Sequence, residues 1–184
     1  MLNILNNKDL PLIIEALLLA ANKPMSKQDI LLIFDEVERP TSQDVESAIE
    51  LLQQQNEQRG IELVTVANGY QFQSKQKFAH LVARLWQEKP AKYSRAFLET
   101  LALIAYRQPI TRGEIEQIRG VTISSSIFKT LQEERGWIRI IGHKDVPGKP
   151  GLYATTKEFL TYFGLEKLEQ LPPLPQIMEF VTTE

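Results

Sequence analysis

The sequence predicts a mainly helical α+β fold in two similar halves. Three observations carry this. First, the helix–break–helix stretch Glu99–Gly120, ETLALIAYRQPITRGEIEQIRG, has a near copy 85 residues earlier: Pro24-x-Ser26-x-x-Asp29-Ile30 falls on Pro109-x-Thr111-x-x-Glu114-Ile115. Second, a further helical pattern follows each copy. Third, the apolar period then changes from 3.6 to 2, which marks a hairpin. Three helices and a two-stranded hairpin make a winged helix–turn–helix. Two in tandem, each about 80 residues and so able to build a modest core of its own, account for nearly all of the 184-residue chain. The expected domains are 1–90 and 91–170, with a proline-rich tail at 171–184.

Each element has a local reason. Lys8–Asn22 repeats Leu12, Ile13, Ala16, Leu17, Leu19 and Ala20 at helical spacing, with Pro11 in the first turn, where a missing N–H costs nothing. Asn22-Lys23-Pro24 breaks it. Ser26-x-x-Asp29 resembles a capping box for a helix running to about Phe34. Thr41 or Ser42 then caps Gln43–Arg59, which Gly60 ends. Ile61–Val66 and Tyr70–Gln73 alternate around Asn68-Gly69, a two-residue hairpin signal. A helix over about Gln76–Gln87 follows, with Trp86 on its apolar side, and Glu88-Lys89-Pro90 reads as a linker.

The order then recurs. Helix Ser94–Tyr106 ends before Pro109, and Thr111-x-x-Glu114 caps helix Arg112–Arg119. A third helix, about Ser125–Arg135, stops at Gly136. Strand Trp137–Ile141, loop Gly142–Pro150 and strand Leu152–Thr155 form the second hairpin. Lys157–Phe163 and Leu165–Gln170 read as helical. Gly69-Tyr70 and Lys75-x-x-Phe78 resemble Gly151-Leu152 and Lys157-x-Phe159.

Composition narrows the function. No cysteine is present, which leaves no thiolate nucleophile and no cysteine-based zinc site. No apolar run reaches the roughly 18 residues of a membrane span, and MLNILNNKDL lacks the basic start and cleavage site of a signal peptide. A cytoplasmic protein is expected. The net charge of −2 lacks the basic excess of a dedicated DNA binder. Residues 1–90 carry 9 Lys+Arg and 12 Asp+Glu, and residues 91–184 carry 12 and 11, so any nucleic-acid contact is expected in the second half.

Catalytic signals are poor, and no enzyme activity or cofactor is expected. The two histidines, His80 and His143, stand in a helix and in an exposed hairpin loop without a pocket to shift a pKa. Gly142–Lys149 superficially resembles a phosphate loop, but its glycines are one residue too far apart and Pro150 replaces the Ser/Thr that would bind magnesium. Glu133 and Glu134 diverge by about 100° on a helix and cannot act as a pair.

Binding is better represented. Phe97, Leu101, Ile104 and Tyr106 are candidate partner-binding residues, because the apolar residues around them cover more than one helix face. Leu12, Ile13 and Leu17 are candidates for a dimer interface for the same reason. Surplus apolar surface marks a subunit contact unless the wing and following helix cover it. Arg139, His143, Lys144 and Lys149 of the second wing are candidates for DNA-backbone contact, or simply a solvated hairpin. Acidic residues on both third helices argue against base reading, which leaves a DNA-binding transcription regulator as the alternative class. Leu171-Pro172-Pro173-Leu174-Pro175 favours polyproline II, either as a recognition segment or as a strap on its own domain.

At these residues a family resemblance enters. LETLALIAYRQPITRGEIEQIRG, then GWIRIIGHKDVPGKPGLYATTKEFLTYFGL and LEQLPPL, resemble the segregation and condensation protein B family, densely over 95–175 and more loosely over 8–88. The resemblance implies tandem winged helices and a homodimer joined largely through the first domain. It also implies binding to the kleisin, segregation and condensation protein A, and through it to the SMC ATPase at the nucleoid. The implied role is chromosome condensation and segregation in cell division, without catalysis. Departures from the family pattern fall at Gly151, Ser124-Ser125-Ser126, Phe128 and Glu133-Glu134.

Overall fold

The computed structural model describes residues 9–85 and 93–173. Trp86, the expected linker Glu88–Pro90, the boundary at residue 90 and the segment 174–184 lie outside the described residues. Among the described residues no helix is long and apolar enough to cross a membrane.

The first unit runs α1 (Leu10–Ala20), α2 (Lys27–Ile33), α3 (Ser42–Gln55), β1 (Ile61–Val66) and β2 (Gly69–Ser74). Leu10, Ile14 and Leu18 repeat every fourth residue along α1 and are all buried. They pack with Ile30 of α2, with Val45, Ala48, Ile49 and Leu52 of α3, and with Leu63 of β1. Ser26 and Asp29 form the expected capping box: Ser26 Oγ accepts from the Asp29 N–H at 3.1 Å, and Asp29 Oδ2 accepts from the Ser26 N–H at 2.9 Å. Thr41 and Asp44 repeat the device at α3.

Three expectations are corrected in this unit. Helix α3 stops at Gln55, short of Gly60, because the buried Asn56 turns its Nδ2 back onto the Leu52 carbonyl at 2.7 Å. The hairpin turn is Ala67-Asn68: Gly69 already pairs with Val66, at a φ of 128° and so close to the Met25 backbone that a Cβ there would lie 2.2 Å from its carbonyl oxygen. The helix expected over 76–87 is a chain of short turns, Gln76–Phe78, α4 (Ala79–Val82) and Ala83–Leu85. It buries none of its side chains, so nothing holds one continuous helix against the core.

The second unit runs α5 (Arg95–Arg107), β3 (Ile110–Thr111), α6 (Arg112–Arg119), α7 (Ser125–Lys129), a wide π turn (Thr130–Glu134), β4 (Ile138–His143), β5 (Gly151–Thr155) and α8 (Lys157–Tyr162). The expected capping box forms between Thr111 and Glu114. The Arg119 guanidinium pins α6 to α5, reaching Glu99 Oε2 at 3.1 Å and Thr100 Oγ1 at 3.4 Å. The core gathers Phe97, Leu101 and Ile104 with Ile115, Leu131, Trp137 and Phe159.

Here too the structure departs from expectation. The third helix is not continuous to Arg135. It widens after Lys129, which seats Leu131 fully in the core and lets its carbonyl accept from the Trp137 N–H at 2.8 Å. Strand β4 extends to His143 through an irregularity between Ile140 and Gly142. Ile110-Thr111 adds a third strand, giving the order β3-β5-β4. The first unit has the counterpart of this strand in the single bridge Met25↔Tyr70, where the second has Ile110↔Tyr153. Met25 and Ile110 are 85 residues apart, so the duplication extends to backbone pairing. That pairing matches Tyr70 to Tyr153, one residue along from the sequence alignment.

Candidate partner-binding surfaces

Helix α1 is apolar on two sides. One side is the core face described above. On the other, Leu12 is 61% and Leu19 59% exposed. Ile13 and Leu17 are half-buried at its edges, and Ala16 and Ala20 are exposed beside them. Of the dimer candidates, Leu12 therefore faces outward and Ile13 and Leu17 flank it. Among the described residues, the hairpin and following turns do not cover this face. Leu32 and Ile33 of α2 are also more than half exposed.

On α5 the four candidate partner residues separate. Phe97, Leu101 and Ile104 are 5%, 3% and 0% exposed. They are core side chains of their own unit, because their helical spacing turns them onto α6, the π turn and the sheet. The surface instead belongs to residues on the neighbouring stripe. Leu98, Ala102 and Tyr106 line an apolar groove of about 420 Å³ facing Phe159 and Phe163 at the end of α8, with Leu101 at its floor. No charged side chain lines it. The Tyr106 hydroxyl donates to the Pro172 carbonyl at 2.6 Å. The sequence signal for this groove was Leu98, an apolar residue off the core spacing of α5, which the candidate set omitted.

The wing candidates Arg139, His143, Lys144 and Lys149 are all exposed. Lys144 is already occupied: its Nζ donates to Glu114 Oε1 at 2.6 Å. That bond, with the Thr111 N–H and hydroxyl, holds the Glu114 carboxyl at about 2, against an ordinary 4.5. The wing is thus tied to the first turn of α6, and the apolar Ile140, Ile141 and Val146 share its exposed surface. His80 is exposed on α4, and Glu133 and Glu134 are exposed on the π turn.

Comparison with known proteins identifies the family. The sequence model of one family, Segregation and condensation complex subunit ScpB, matches residues 12–174. A segregation and condensation protein B homolog of Coxiella burnetii is 47% identical over 173 residues, covering 94% of this chain and 82% of its own. A solved ScpB from Mycobacterium tuberculosis is 32% identical, covering 88% of this chain and 98% of its own, with a TM-score of 0.40. A solved dimer of a ScpB N-terminal domain complexed with a ScpA peptide is 30% identical, covering 43% of this chain and 96% of its own, with a TM-score of 0.38. A match that runs through both units, at that identity to a relative of similar length, places this chain in the family of the segregation and condensation complex subunit ScpB.

Proposed function

We propose that this chain is a non-enzymatic structural subunit of the bacterial SMC–kleisin condensin, acting on the chromosome in the cytoplasm. It binds the kleisin as a homodimer and so serves chromosome condensation and segregation. Family membership across residues 12–174 carries the role. The two units are read as tandem winged helices: each follows three helices with a hairpin and repeats the same cap. The first unit is the dimerisation domain, with Leu12, Ile13 and Leu17 on α1 in the interface, and Leu19 added to them. An exposed apolar helix face of this kind marks a protein–protein contact. The second unit offers the kleisin its groove, through Leu98, Ala102 and Tyr106. The ScpA peptide held by the related N-terminal domain identifies the partner to test, and it makes the first unit a second place where kleisin is expected.

The wing contributes little to DNA binding in this reading. With Lys144 paired to Glu114, Arg139, His143 and Lys149 remain for phosphate, which supports weak backbone contact without base reading.

The test uses outward residues, so that folding is preserved. Leu12→Asp is expected to convert the dimer to a monomer by light scattering at micromolar concentration. Leu98→Asp is expected to weaken binding of the ScpA central segment at least tenfold with an unchanged circular dichroism spectrum. A Leu12→Asp protein that remains dimeric, or a Leu98→Asp protein that binds as the unsubstituted chain does, removes that face from the proposal.

A further inference from the structure

The tip of the first hairpin rests on the second unit. Its turn residues, Ala67 and Asn68, are half-buried, although a connecting loop ordinarily stands in solvent. Strand pairing closes at Val66 and Gly69, which leaves the Ala67 N–H outside the ladder. It donates to the Leu165 carbonyl at 3.0 Å, the one backbone hydrogen bond between the units among the described residues. Beside it lies an open cleft of about 710 Å³, lined by Lys23 and Lys27 from the first unit and by Lys157 and Glu166 from the second. The two cores remain separate clusters. The accepting residue is held from behind. Helix α8 runs into the left-handed Gly164, φ 69°. The Gly164 N–H donates to the Thr161 carbonyl at 3.1 Å, and the Leu165 N–H to the Leu160 carbonyl at 2.8 Å. These two bonds are a Schellman helix end, in which the residue after the glycine folds its side chain back on the last turn. The Leu165 side chain accordingly lines the α5 groove with Phe159 and Phe163. One residue thus presents a groove wall with its side chain and receives the first unit on its carbonyl.

We propose that the first hairpin is a latch on the α5 groove. Docked on Leu165, it fixes the groove wall in the shape that receives an apolar peptide, and its release loosens that wall. The effect on the kleisin, unlike the latch itself, rests on the reading of the groove as a kleisin site. A wall already in place spares the ligand the cost of ordering it, so apparent affinity falls with the fraction of time the wall is formed. One hydrogen bond supplies a factor of about two to ten on that scale. The coupling is reciprocal: a peptide held in the groove tightens the docking by the same factor.

The experiment is NMR on the full chain, reading the docking by hydrogen exchange at the Ala67 amide and the groove by the Leu98 and Leu165 methyls. Ala67→Pro removes the donor, and Ala67→Gly keeps it. The proposal expects slowed exchange at Ala67. It expects groove methyls that move in Ala67→Pro and stay in Ala67→Gly, with the Ile30 and Leu63 methyls of the first core unmoved in both. The ScpA central segment is expected to bind Ala67→Pro about two- to tenfold more weakly than the unsubstituted chain, and to slow Ala67 exchange in the unsubstituted chain by the same factor. An Ala67 amide that exchanges as a free turn amide overturns the latch, and so do groove methyls that stay still in Ala67→Pro. Where the proline disturbs the first core, an amide-to-ester replacement at residue 67 removes the same donor without a ring and is judged by the same methyls. Moved groove methyls with no binding of the segment uphold the latch and remove the kleisin reading instead.

Discussion

The two units use one local device in two settings. Ser26–Asp29 and Thr111–Glu114 form the same capping box, and Ile30 and Ile115 follow it into their cores with no exposed surface. The surroundings differ. In the first unit the residue before the cap makes a single bridge to the hairpin, the turn is two residues long, and the Asp29 carboxyl is held down mainly by the Ser26 hydroxyl. In the second that residue belongs to a strand, the loop is long, and Lys144 reaches from the loop to the cap carboxylate. Among the described residues, the first unit leaves an apolar helix face exposed, whereas the second builds a groove lined in part by its own Leu171 and Pro172. The repeated scaffold shares the cap and core and differs at its exposed surfaces.

The comparison can be broken at several points. The largest effects lie in the cores. Ile30→Ala and Ile115→Ala are each expected to cost about 2–5 kcal/mol, the range for truncating a buried aliphatic side chain. Hydrogen exchange should place each loss within its own unit, and a loss spread evenly over both would mean that the halves are not separate cores. Next comes the start of each second hairpin strand. Gly69→Ala brings a Cβ against the Met25 carbonyl at positive φ and is expected to cost upward of about 3 kcal/mol. Gly151→Ala meets only the Ile140 side chain, at 3.1 Å, and should shift the melting temperature far less. Equal shifts would deny the difference in strand pairing.

The caps come third. Ser26→Ala and Thr111→Ala should each cost about 1 kcal/mol in chemical denaturation, as the loss of an N-cap does. Thr111, buried and shared with β3, is expected to give the greater loss.

The smallest effect is electrostatic. The folded Glu114 carboxyl titrates at about 2 against 4.5. A depressed folded value stabilises above the unfolded pKa, so the contribution is complete above about pH 4.5 and is lost as pH falls toward 2. Lys144→Ala, which removes the main cause, should raise the Glu114 pKa in an NMR titration and flatten the acid limb of stability. An unmoved pKa would show that the wing does not touch the cap.

Much of this was legible in the chain. The two caps, the 85-residue repeat and the hairpins follow from local rules, because a cap and a turn are specified by neighbours in sequence. The misses are tertiary. Asn56 ended α3 by folding back on its own helix, and the Leu131 packing opened a π turn. Gly69 was needed not for the turn but for the approach of Met25 from another segment. The apolar faces were read halfway for the same reason: periodicity marks α1 and α5 as doubly apolar, but only packing decides which stripe is core. On α1 it left Leu12 outside, and on α5 it took Phe97, Leu101 and Ile104 inside and left Leu98.

The most direct test is calorimetric titration of the full chain with the ScpA central segment, alongside light scattering of the same samples. Saturable binding to a dimer, weakened by Leu98→Asp and with the dimer lost in Leu12→Asp, is the predicted result. A chain that stays monomeric, or that gives no binding at concentrations where it is folded, would contradict it.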